Sequence, residues 1–150
     1  EQGFGKRRRI DVWWGGSMQA NGGLMLLLAY LLRSDIRWRE ASIYLKLVVN
    51  HQSAVSPARD NLNQLMAELR ISAIPQVIVA DGRSFDRILQ QTSRNADLIF
   101  LGMATPDEHF IEHYESLQKK VATLPSTVFV LATPDFSFSE IFNDSGIGKP

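Results

Sequence analysis

Three unbroken apolar runs dominate the chain: VIVA at 77–80, LIFL at 98–101 and VFVL at 128–131. A strand that is apolar on both faces must have both faces covered. Segments with helical spacing lie between the runs, so the covering elements are crossover helices on a parallel sheet. Strands are predicted at 9–14, 42–49, 75–80, 97–102 and 127–132, and helices at 22–33, 57–71, 84–95 and 107–122. Right-handed crossovers then give a five-stranded, doubly wound α/β sheet of Rossmann-like type, favoured in the order 3-2-1-4-5. The strand 42–49 (SIYLKLVV) places Tyr44 and Lys46 on one face, and that face is expected to be less covered.

The helix starts carry their own chemistry. Ser56 before Pro57 reads as a cap followed by a proline at the first helical position. Leu62, Leu65, Met66 and Leu69 then share a face. Ser84 is placed to cap the third helix, and the stretch 105–108 (TPDE) reads as a capping box. The segment 24–32 is apolar nearly all round, which predicts deep burial or a place in a subunit interface. The expected buried scaffold is Val12, Leu27, Leu31, Ile78, Ile99, Leu101, Phe129 and Leu131.

Composition removes several functions. Lysine plus arginine and aspartate plus glutamate balance at 16 each, so no basic excess marks a nucleic-acid binder. With no cysteine there is no disulfide framework, thiol nucleophile or zinc–thiolate site. The run 24–32 is far short of the roughly 20 residues of a membrane-spanning helix. Neither a signal-peptide pattern nor a nucleophile elbow is visible in these residues. The chain starts at Glu1 and ends in a polar, glycine-rich stretch, so it reads as a piece of something longer or a processed product. A loose basic lead-in at 1–6, an α/β unit at 7–142 and a loose tail at 143–150 are expected.

The switch point of the favoured order lies between strands 1 and 4, at the loops 15–23 and 102–108. Gly15, Gly16, Asn21, Gly22 and Gly23 in the first, with Gly102 and Thr105 in the second, are the candidate ligand or contact positions. The glycine spacing matches neither dinucleotide nor P-loop fingerprints, and the first loop has no lysine to meet a phosphate. A structural corner or contact loop is therefore the favoured reading. His109, Glu112 and His113 fit an H-x-x-E-H pattern. They sit on a surface helix where solvated side chains are the ordinary outcome, and a catalytic zinc takes a third protein ligand. Adjacent Trp13 and Trp14 must point to opposite faces of a strand, so one is a candidate for a contact surface. Phe136 and Phe138 alternate with polar residues in the tail and form the other candidate surface. Arg7, Arg8 and Arg9 lead charge into the first strand and would attract anionic lipid headgroups beneath a membrane.

The residues Ile10, Asp11, Val12, Trp13 and Trp14, with Gly22, Gly23, Leu24, Leu27, Leu28, Tyr30, Leu31 and Leu32, carry a family resemblance. They resemble the cytosolic C-terminal domain of cation-chloride cotransporters, where a strand close to I-D-V-W-W meets a polar turn, G-G-L and a leucine-rich helix. The loop here is longer and lacks the family's acidic pair. ASIYLKLVV, ADLIFLGM and LPSTVFVLA follow in corresponding order with looser agreement. The resemblance implies a universal-stress-protein-like unit that regulates transport, assists dimerisation and performs no catalysis. It also implies contact with the membrane domain of the same transporter, a homodimer, a place on the cytoplasmic side of the membrane, and no cofactor. An ATP or ADP sensor of universal-stress-protein type is the alternative. The nucleotide-binding members carry G-x-x-G after strand 4, and here Gly102 is followed by Thr105 where the second glycine would fall.

Overall fold

The computed structural model describes residues 3–14, 19–102 and 108–131, with the backbone alone for Gln19, Ala20, Asn21, Phe110 and His113. Five strands alternate with four principal helices: β1 (Arg9–Trp14), α1 (Gln19–Arg33), β2 (Ser42–Val49), α2 (Val55–Leu69), β3 (Ile74–Val79), α3 (Phe85–Ser93), β4 (Leu98–Gly102), α4 (Phe110–Val121) and β5 (Thr127–Val130). All pairings are parallel, and the order is β3-β2-β1-β4-β5. This is the doubly wound α/β sheet expected from the sequence.

Strand alternation sorts the core into two layers. Ile10 and Val12 of β1, Ile43 and Leu45 of β2, and Leu98 and Phe100 of β4 point to one face. There they meet Met25, Leu26 and Ala29 of α1 and Leu62 of α2. Trp13, Ile99 and Leu101 point to the other face and meet Ile88 and Leu89 of α3, with Val121 of α4 beside them. The two tryptophans therefore divide as strand geometry requires. Trp13 is buried in the α3 layer, edge-on to Phe85, and half-buried Trp14 packs on the α1 layer.

Several expectations change in detail. Helix α2 begins at Val55 after Ala54, so Ser56 lies inside the first turn and is not its cap. The three-residue turn Gln52–Ala54 already runs helically into Val55 and fixes the earlier start. Ser84 does cap α3, its hydroxyl accepting from the Arg87 N–H at 3.3 Å. Helix α4 starts at Phe110, and residues 105–107 lie outside the described residues. Of the expected scaffold, Val12, Ile99 and Leu101 are buried, and Leu27, Ile78 and Phe129 are partly so. Leu31 and Leu131 are instead exposed, at 55% and 40%. The first faces away from the sheet on α1, and the second stands just past the end of β5.

Over its described residues the lead-in to β1 is hydrogen-bonded to the residue just before β4. Gly5 and Arg7 both take left-handed backbone angles, φ 52° and 53°. That alternation turns successive N–H groups toward one point. The Asp97 carboxylate sits there, accepting from the backbone of Lys6 at 3.1 Å, Arg8 at 2.8 Å and Arg9 at 3.0 Å. A side chain at position 5 would collide with that carboxylate, so glycine is required for the close approach as well as for the angle.

Candidate functional site

The sheet's switch point lies at the C-terminal ends of β1 and β4. Gly15, Gly16 and Thr105 lie outside the described residues, as do Phe136 and Phe138. Asn21, Gly22 and Gly23 belong to α1, so the connection is shorter than the expected 15–23 loop. Gly22 and Gly23 are buried. A β-carbon on Gly22 would run into the six-membered ring of Trp14. This glycine therefore lets the helix close on the indole, a packing role that its position in a glycine-rich stretch did not reveal. Gly102 is the exposed last residue of β4.

The polar chemistry of the molecule is concentrated elsewhere, between β1, β2 and the end of α3. Asp11 and Lys46 are fully buried, and both point into the α3 layer. The Lys46 ammonium lies 2.9 Å from Asp11 Oδ2. Arg9 lays its guanidinium on the same carboxylate, with Nε 2.9 Å from Oδ1 and a terminal nitrogen 3.2 Å from Oδ2. The Ser93 hydroxyl donates to Oδ2 at 2.6 Å and accepts from the Trp13 indole N–H at 3.0 Å. Both cations also donate to the Thr92 carbonyl at 2.8 Å. Lys46 stands over the Trp13 ring at 5.4 Å, and Arg9 over the Tyr44 ring at 4.8 Å.

The placement follows from register. In the parallel β1–β2 pair, Asp11 aligns with Tyr44 and Trp13 with Lys46. Ser93 is the last residue of α3, so its side chain reaches the strand carboxylate where the helix ends. The hydrogen bond to Asp11 raises the Arg9 pKa, against a smaller opposing effect of burial. Burial pushes the Lys46 ammonium down, and Asp11 partly offsets it. Among the described residues no buried side-chain nitrogen or oxygen lacks a partner. A network of this kind holds α3 against the sheet, and these partners all come from within the chain. The expected thin cover is corrected at Lys46, which is fully buried and tolerated there because Asp11 neutralises it, while Tyr44 on the same face stays partly exposed.

Two surface hollows flank this core. One, of about 430 Å³, lies beside α1 and is lined by Phe4, Leu28, Leu32, Trp38, Phe100 and Val128, with Arg7 and Arg37 among its walls. The other, of about 610 Å³, is polar and open, and lies at the ends of β2 and β3 between His51 and Arg83. Arg83 there is held by the Val79 and Ala80 carbonyls and by Gln91. Neither hollow is lined by Asp11 or Lys46.

The histidine pattern gives His109 and Glu112 3.8 Å apart with exposed side chains, and the side chain of His113 is outside the description. Among the described residues no group of three histidine, cysteine, aspartate or glutamate side chains could hold a metal ion. Nor is any described helix long and apolar enough to cross a membrane.

Comparison with known proteins adds one finding. A family model described as "Solute carrier family 12" matches residues 2–86. The match covers β1 through β3, including Trp13, Trp14, Asp11 and Lys46. No curated protein sequence matches the chain.

Proposed function

The chain belongs to solute carrier family 12, the cation-chloride cotransporters, and from that premise we propose that it is a non-catalytic regulatory and dimerisation domain of a transporter, on the cytoplasmic side of the membrane. Its work is to bias a conformational equilibrium through contacts that differ between states. The membrane domain of the same transporter and a second copy of this chain are its partners.

One observation carries this reading. Apolar side chains of α1 and β5 are not fully used inside the chain: Tyr30 is 40% exposed and Leu31 55% on α1, and Val128 of β5, lining the apolar hollow, 39%. Large apolar side chains left uncovered in this way suit a contact surface. The buried polar cluster supports the same reading from the other side, because its groups are engaged with one another.

Sedimentation equilibrium of the chain, paired with ion flux through the full transporter, tests it. The expected result is a dimer that Leu31→Glu or Val128→Glu dissociates, with altered flux at unchanged surface expression. A monomer at all concentrations, together with unchanged flux in both variants, overturns it.

A further inference from the structure

The charge of this neutral chain is unevenly distributed in space. In an all-parallel sheet the loops entering the strands share one edge, and the loops leaving them share the other. The entering loops are 3–8, 34–41, 70–73, 94–97 and 122–126. They carry seven lysines and arginines against three carboxylates. The described loops of the opposite edge carry one arginine, Arg83, and two carboxylates, Asp81 and Glu108.

The three carboxylates at this edge offset part of that charge and leave a net positive excess. Asp97 is enclosed by backbone N–H groups of the lead-in. Asp35 is held by Arg37, 2.9 Å away. The hydrogen bonds from Arg37, with a contribution from nearby Arg7, keep its carboxyl below the usual range. Glu40 alone is left among the cations of its loop. Two large apolar side chains project at the same edge: Ile36 is 78% exposed and Phe4 47%. Phe4 stacks edge-on to Trp38 at 5.8 Å, which joins the lead-in and the 34–41 loop into one surface.

We propose that this edge is a docking surface for an anionic lipid bilayer, with Arg7, Arg8 and Arg39 meeting headgroups and Phe4 and Ile36 entering the interface. Cations spread over loops, with isolated apolar tips between them, match an anionic leaflet. A nucleic-acid groove is matched less well, because it would want a basic stripe without protruding aliphatic tips. The proposal uses the family's membrane setting and does not depend on the regulatory reading. Vesicle binding can fail while dimerisation and flux control persist.

The test is co-sedimentation of the chain with vesicles rich in phosphatidylserine, and with vesicles of phosphatidylcholine alone. Binding is expected only to the anionic vesicles and should fall as salt screens the surface charge. Arg8→Glu with Arg39→Glu, both on exposed side chains, should weaken it by at least about tenfold. Thermal unfolding of that double variant should match the parent, which separates lost binding from lost folding. Absent binding, equal binding to both vesicle types, or an unweakened double variant overturns the proposal. So does tighter retention on RNA than on vesicles at equal salt.

Discussion

The two faces of the sheet are built on different principles. The α1/α2 face is closed by apolar side chains alone, and its tightest requirement is shape: Gly22 has to be bare for Trp14 to lie flat. The α3 face holds an ion cluster under its helix, and its requirement is neutrality: Asp11 must be present for Lys46 to be tolerated. An apolar layer tolerates a poor fit by shifting, at a cost that grows with volume. A buried charge has no comparable compromise once its partner is gone. The face with fewer apolar contacts is therefore the one more easily destroyed by a single substitution.

The most damaging change is expected at Asp11. Asp11→Ala leaves Lys46 buried beside Arg9 with no counter-charge, and should cost about 3–5 kcal/mol in urea denaturation. Converting the pair together, as Asp11→Leu with Lys46→Met, removes both charges at once. That double variant should lie within about 2 kcal/mol of the parent. A double variant as unstable as Asp11→Ala would show that the carboxylate matters for Arg9 and Ser93 rather than for Lys46. On the opposite face, Gly22→Ala should cost about 1–2 kcal/mol. Overpacking against Trp14 exceeds the roughly 1 kcal/mol that alanine returns in helix propensity. Tryptophan fluorescence should shift in that variant as the indole moves.

Acidity separates the faces more finely. Burial holds the Lys46 pKa below its ordinary 10.5, and Asp11 offsets part of that effect. Between the folded value and 10.5, the unfolded chain binds more protons than the folded one. Lys46 therefore adds stability as pH rises through that window, and the gain is lost as pH falls through the folded value. Denaturation at a series of alkaline pH values should show this positive slope in the parent and lose it in Lys46→Met.

The smallest effect is expected at two serines that look alike in the sequence. Ser84→Ala removes the hydroxyl that caps α3 and should cost about 1 kcal/mol, whereas Ser56→Ala should cost almost nothing. Equal losses would mean that the first turn of α2 depends on Ser56 after all.

These serines show where the sequence was legible. Strand order, layer assignment and the opposed tryptophans follow from local pattern, because period-two alternation and crossover handedness leave little choice. The Ser84 cap was legible because the apolar face of α3 starts just after it. Ser56 misled because Pro57 resembles a start signal, while the preceding turn had already begun the helix. Lys46 misled for a different reason. Lysine is seldom buried, so its face was expected to be open. The available clue was non-local: Asp11 also sits in a run of apolar strand residues, and two opposite charges on neighbouring inner strands can satisfy each other. Ser93 carried no visible signal, since only the crossover of α3 above β1 brings it to Asp11. Leu31 was expected inside because the helix is apolar all round, yet a helix lying on one side of a sheet has an outer surface whatever its composition.

The fastening of the lead-in to Asp97 has a mechanical consequence. Tension arriving through residues 3–8 is shared between β1, the central strand of the sheet, and its neighbour β4. The load then runs along their length and shears several hydrogen bonds together, instead of unzipping them one by one from a free end. A small displacement upstream would thus move the middle of the sheet as a block, and the loops at its far end would follow.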